Sequence, residues 1–255
     1  GRVVNLRNFT LYRDLTLAQL EMLPLNAIYL TTNELSDMAT DYWQGVRGVR
    51  SDVRKIAVTK LPGDWYREQV RLRFPELAPY IAETLDETVV NLCKRYAGEG
   101  LLFAAAWPNR LAGAGEQCAP IRDRLVVRVY PPDVSLNIEA YKTAQDRFWN
   151  EWDVMHELPR GKMTLRVRRL LETMAEMRHG LGGIYARAGR SDWARDEFQR
   201  AAEISPDWVE SLDALAGLHA EVGEYREALA LSQEAIHRNK EHLWAYYAAG
   251  VYSFQ

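Results

Sequence analysis

Two hydrophobic periods divide this chain. Residues 26–32 (NAIYLTT) and 53–59 (VRKIAVT) are short apolar runs rich in β-branched residues, the pattern of buried strands. Residues 101–106 and 125–129 supply two further candidate strands. Between the first two runs, residues 36–46 predict a helix capped by Ser36, and residues 64–73, 79–96 and 135–152 predict three more. Strands alternating with helices predict an α/β domain over residues 5–157, with a mostly parallel sheet and helices on its faces. From residue 162 the period becomes purely helical, with Leu165, Leu170, Leu171 and Met174 on one stripe.

The helical part repeats. A shift of 34 residues superposes Leu181 on Leu215, Gly189 on Gly223, Ala194 on Ala228 and Ala201 on Ala235. Leu181, Gly182, Tyr185, Gly189, Ala194, Phe198, Ala201 and Pro206 occupy the positions of the tetratricopeptide signature, which this segment resembles. Units fall at about residues 175–208 and 209–242, with a partial unit at 243–255; the second replaces Phe by Ser232 and Pro by Lys240. An all-α tetratricopeptide-like segment is therefore expected over 162–255. The resemblance implies that its inner helices line a groove for a protein or peptide partner, with Glu176, His179, Arg187, Glu210, Asp213, Glu221, Trp244 and Tyr247 on its surface. The same surface equally suits packing or an oligomer built through the repeats.

In a Rossmann-like α/β sheet, ligands gather beyond the carboxyl ends of the strands. That rim would carry Thr31, Thr32, Asn33, Glu34, Lys60, Trp65 and Tyr66. The first strand runs into Thr-Thr-Asn-Glu and not into a glycine-rich phosphate loop, which argues against a dinucleotide. Gly98, Gly100, Gly113 and Gly115 match no phosphate motif and read as turns. Glu34, Asp37 and Asp41 could in principle divide acid and base roles. Asp37 and Asp41, four apart on a helix, read more simply as a solvated first turn. Arg50 and Asp52 read as a structural ion pair or turn. Trp65 and Tyr66 suit packing, and beside a polar rim also stacking on a sugar ring.

Composition narrows the classes. The 255 residues carry a formal charge of −3, with 47% hydrophobic and 26% charged positions, an ordinary globular balance. Twelve basic against fourteen acidic residues follow Gly161, and twenty against twenty-one precede it. No basic half points to nucleic acid. The longest apolar run, residues 101–107, is far short of a span of about 20 residues. Cys93 and Cys118 lack a CxxC frame, and none of the five histidines pairs in an HExxH frame. Metal ligation is not expected, and neither is a cofactor. A buried thiol pair is the simplest role for the cysteines; bridging them would require an oxidising compartment. No GxSxG or comparable nucleophile motif occurs.

Residues 26–66 carry a more specific likeness. Gln44, Gly48-Val49-Arg50, Asp52-Val53 and Trp65-Tyr66, set around two apolar strands, resemble the segment that follows the membrane spans in a bacterial multi-pass family related to protein O-mannosyltransferases. Residues 101–106 and 125–131 resemble that family's later strands, and tetratricopeptide-like helices often follow there. Where the family has an acidic, glycine-containing loop, this chain has Asn33-Glu34-Leu35-Ser36-Asp37, keeping two acids and losing the glycine. The resemblance implies an extracytoplasmic location, a membrane-embedded parent domain that holds any glycosyltransferase machinery, and a non-catalytic accessory role for this piece. A chain that opens on Gly1 and closes on Gln255 inside a predicted helix fits an excised piece. The rival expectations are an independent enzyme handling a sugar or nucleotide-sugar at the strand ends, and a tetratricopeptide scaffold without a small ligand.

Overall fold

The structure is a computed structural model that describes residues 11–107, 111, 114, 116–151 and 165–254. These fall into two compact units, one within residues 8–152 and one from 153 onward.

The first unit is built on a five-stranded sheet of order β2-β1-β3-β5-β4, with β1 Ile28–Thr31, β2 Arg54–Ala57, β3 Leu102–Ala104, β4 Ala119–Asp123 and β5 Val126–Tyr130. β1 pairs in parallel with β2 and β3, whereas β5 runs antiparallel to both β3 and β4. The sheet is thus mixed, where alternation of strands and helices predicts a mostly parallel one. The physical reason is a two-residue turn at Arg124-Leu125. Arg124 adopts φ +54° and closes a β4–β5 hairpin without the Asn-Gly or Asp-Gly dipeptide that usually signals one. β4 contains Pro120 and is only partly buried, as suits an edge strand.

Alternate strand residues serve two cores. Ile28, Leu30, Ile56, Leu102, Ala104, Val127 and Val129 pack against α3 Asp64–Arg73 and α4 Leu85–Tyr96 through Val70, Val89 and Leu92. On the opposite face Tyr29, Phe103 and Val126 cluster with Leu20 and Leu23 at the end of α1 Leu11–Met22. The helix predicted over 79–96 divides in two: a 3₁₀ turn covers Pro75–Tyr80, and α4 starts after Thr84, whose side chain accepts from the Glu87 N–H. Pro79 has no N–H for a continuous helix. The helix predicted from 36 begins earlier, as α2 Glu34–Asp41, and continues as a π-helical segment Tyr42–Val46. Its cap is Asn33, not Ser36. Asn33 accepts from the Ser36 N–H at 2.9 Å, and Ser36 reaches back to the Asn33 N–H, the reciprocal arrangement of a capping box. α5 Ile138–Glu151 completes the unit; Trp152 lies outside the described residues.

Among the described residues the second unit comprises five helices: α6 Leu165–Arg187, α7 Ser191–Ile204, α8 Glu210–Glu221, α9 Tyr225–Arg238 and α10 Leu243–Ser253. The predicted start at residues 162–164 lies outside the described residues. α6 and α8 end alike. Gly189 and Gly223 take φ +71° and +83°, and the next N–H closes back onto the Tyr185 and His219 carbonyls at 2.9 Å each, a Schellman arrangement. α6 and α7 approach closely where Gly182 faces Phe198: a Cβ at Gly182 would lie 2.5 Å from the Phe198 ring. In the second hairpin the equivalent pair is Ala216 and Ser232, both fully buried. The larger inner residue is matched by the smaller outer one.

Candidate functional site

At the carboxyl end of β2, on the open edge of the sheet, four charged side chains interlock. Lys55 lies within β2, yet its side chain is 4% exposed. Its Nζ donates to Asp37 Oδ1 at 2.5 Å and to Asp41 Oδ1 at 2.6 Å, both on α2. Lys60, in the turn after β2, reaches the other oxygen of Asp37 at 2.6 Å. Thr31, at the end of β1, donates to Asp37 Oδ1 at 3.2 Å. Burial alone would raise the Asp37 carboxyl, but the two ammoniums outweigh it and hold it below the usual carboxylate range. Asp37 in turn holds the Lys60 ammonium above its ordinary value. A buried charge survives only when paired in this way.

Beside the network, Tyr66 of α3 places its hydroxyl 2.7 Å from the outward N–H of Ala57, which donates to it. Burial pushes the Tyr66 phenol up, so it stays protonated. Between this ring and the ion pairs lies a cavity of about 90 Å³, bounded by Asp41, Lys55, Lys60 and Tyr66 and, along α3, by Gln69 and Arg73.

Of the rim expected from sequence, Lys60 and Tyr66 line this cavity. Thr32 is buried, Asn33 is committed to capping α2, and Glu34 starts that helix exposed. Trp65 is 65% exposed, with its ring edge against Tyr66 and its Nε1 close over Gly63. Glu34, Lys60 and Trp65 therefore do not share one cavity. Asp37 is not part of a solvated first turn: it is 3% exposed and doubly paired. Asp41 alone of that pair is half exposed. Lys55, Gln69 and Arg73 line the cavity and lie outside the rim expected from sequence. The signal for Lys55 was a charge inside a predicted strand, directly after Arg54 and four residues before the last strand position predicted there.

Arg50 and Asp52 form the structural pair expected of them. The guanidinium meets both Asp52 oxygens at 2.8 Å and donates to the carbonyls of Leu20, Leu23 and Pro24 at 2.6–2.8 Å. It thereby caps the carboxyl end of α1, where a cation is favoured. The Arg50 side chain holds Asp52 down at about 2. Cys93 and Cys118 are both buried and unbridged. Their thiols interact, lowering Cys93 and raising Cys118.

In the helical unit, residues 34 apart take equivalent places. Glu176, Glu210 and Trp244 are exposed. His179 is not: its ring meets Phe198 at a tilt and Trp208 edge to face, with centroids 5.0 Å away in each case, and burial pushes it down to about 4. It fills the seam between α6 and α8, and Ser211 meets it at 3.4 Å. Asp213 is likewise engaged, with His242 Nε2 at 2.5 Å; burial raises its carboxyl although His242 opposes this. Arg187 and Glu221 are exposed. Trp244 and Tyr247 project from α10 as a tilted pair 5.3 Å apart, 58% and 64% exposed.

No protein-family model matches this chain, and no curated protein sequence matches it. Among the described residues no group of His, Cys, Asp and Glu could hold a metal ion, and no helix is long and apolar enough to cross a membrane.

Proposed function

We propose that this chain is a non-catalytic, extracytoplasmic polypeptide-binding module of a larger membrane protein resembling the O-mannosyltransferase-related family. Its tetratricopeptide-like helices engage an acceptor polypeptide or partner. The observation that carries this reading is the surface formed by equivalent positions of α6, α8 and α10, which ends in the exposed, tilted ring pair of Trp244 and Tyr247. Large exposed aromatics on a regular helical surface are the usual anchors of polypeptide recognition. The 34-residue period, the glycine-ended inner helices and the buried Ala194, Ala201, Ala228 and Ala235 support the repeat assignment. The location and the membrane attachment rest on the likeness of residues 26–66.

The test is fluorescence anisotropy with a panel of labelled extended peptides of varied charge. At least one peptide is expected to bind saturably, and Trp244→Ala with Tyr247→Ala is expected to weaken it tenfold or more. Binding unchanged in that double variant, or no binding by any peptide, would overturn the reading. Membrane attachment is tested separately by hydropathy of the coding sequence upstream of Gly1. Several apolar spans of about 20 residues are expected there, and a start codon just before or near Gly1 would exclude them.

A further inference from the structure

The geometry points to a second site, independent of the helical surface: the cavity at the edge of β2 binds a small oxyanion, the phosphate or carboxylate group of a ligand. The argument is a count of donors and acceptors. An ammonium has three N–H groups, and Lys55 spends two of them on Asp37 and Asp41. The third is not spent on either carboxylate, and Lys55 is one of the residues lining the cavity. The Tyr66 hydroxyl accepts from the Ala57 N–H and keeps its own proton to donate. Lys60 is 40% exposed, with two N–H groups beyond its bond to Asp37. Arg73 lies against the Phe74 ring at 5.2 Å, and no acid bonds its guanidinium among the described residues. Gln69 adds an amide.

Against these donors the wall offers one carboxylate, Asp41, already bonded to Lys55. With Asp37 included, three cations face two anions, so the site carries an excess positive charge beside a desolvated ammonium. Such a wall is satisfied by a ligand rich in acceptors and negatively charged, and the guanidinium fork of Arg73 matches two oxygens of one oxyanion. At about 90 Å³ the cavity has room for a few waters, which suits one oxyanion group.

The test uses the full chain with inorganic phosphate and with acetate, each at constant ionic strength against chloride, followed by thermal shift and by NMR perturbation of the Gln69 amides. Saturable stabilisation by phosphate or acetate is expected, with an affinity at least fivefold weaker in Arg73→Gln. Arg73 is exposed, so this variant leaves the fold intact. Gln69→Ala is expected to weaken binding in the same direction. A response equal to that of chloride, or one that Arg73→Gln leaves unchanged, would overturn the site. Because the peptide assay reads Trp244 and Tyr247, failure of either proposal leaves the other standing.

Discussion

Arg50 holds a left-handed backbone, φ +50°, while its side chain ties three carbonyls and Asp52 together. Removing it by Arg50→Met leaves those carbonyls and the carboxylate unmatched. A loss of about 2–4 kcal/mol is expected in urea unfolding. Asp52 titrates at about 2 in the folded chain, below its unfolded value. Its contribution is complete above pH 4 and disappears as the pH falls toward 2, by about 1–2 kcal/mol once solvent screening is allowed for. Asp52→Asn should flatten that part of the acid limb. His179 behaves in the opposite chemical sense. Its folded value of about 4 lies below the ordinary one, so the unfolded chain takes up the proton first. Stability of the helical unit should therefore fall between pH 6.5 and 4, by about 3 kcal/mol in total, and His179→Phe should remove that slope. The ion pair at Arg50 was legible because the two residues lie two apart at a turn before a strand. The burial of His179 was not, since its ring is enclosed by Phe198 of α7 and by Trp208 in the turn before α8, which no local pattern announces.

Elements were legible in proportion to how local their signals are. β1, β2 and β5 follow from β-branched runs, and the ends of α6 and α8 from glycines that a left-handed residue requires. β4 escaped because Ala119-Pro120-Ile121-Arg122-Asp123 reads as neither strand nor helix; it exists through pairing with β5, a contact set by Arg124. The pairing of α6 with α7 was legible as small residues at helical spacing, but the fit of Phe198 over Gly182 needs three dimensions. Gly182→Val should drive a side chain into that ring and cost about 1–3 kcal/mol. Restoring space with Gly182→Val plus Phe198→Ala should recover part of the loss in a double-mutant cycle. Simple additivity of the two substitutions would refute that account of the interface.

For the whole molecule, the two units use different means of burying apolar surface: two cores across one sheet in the first, stacked hairpins in the second. Composition and period separated them, but composition could not place the charges. Lys55, Asp37 and Lys60 come from a strand, a helix and a turn, and only the fold makes them one network. Both thiols belong to the interior of the first unit. Dithionitrobenzoate is expected to titrate two thiols per chain in guanidinium and to react at least about a hundredfold more slowly with the native protein, since access requires opening of the core. Fast native reaction would contradict that burial.

The two outer strands of the sheet also bear on how these molecules behave in a crowd. On β2, Tyr66 occupies the outward Ala57 N–H, and the flanking positions are Arg54 and Lys55. On β4, Pro120 offers no N–H at all, and Arg122 and Asp123 follow it. Neither border presents an uninterrupted row of donors to a stranger's strand. The native sheet is therefore a poor template for end-to-end growth into fibrils, and a concentrated solution of folded protein should resist seeding as long as Tyr66 keeps its hydroxyl.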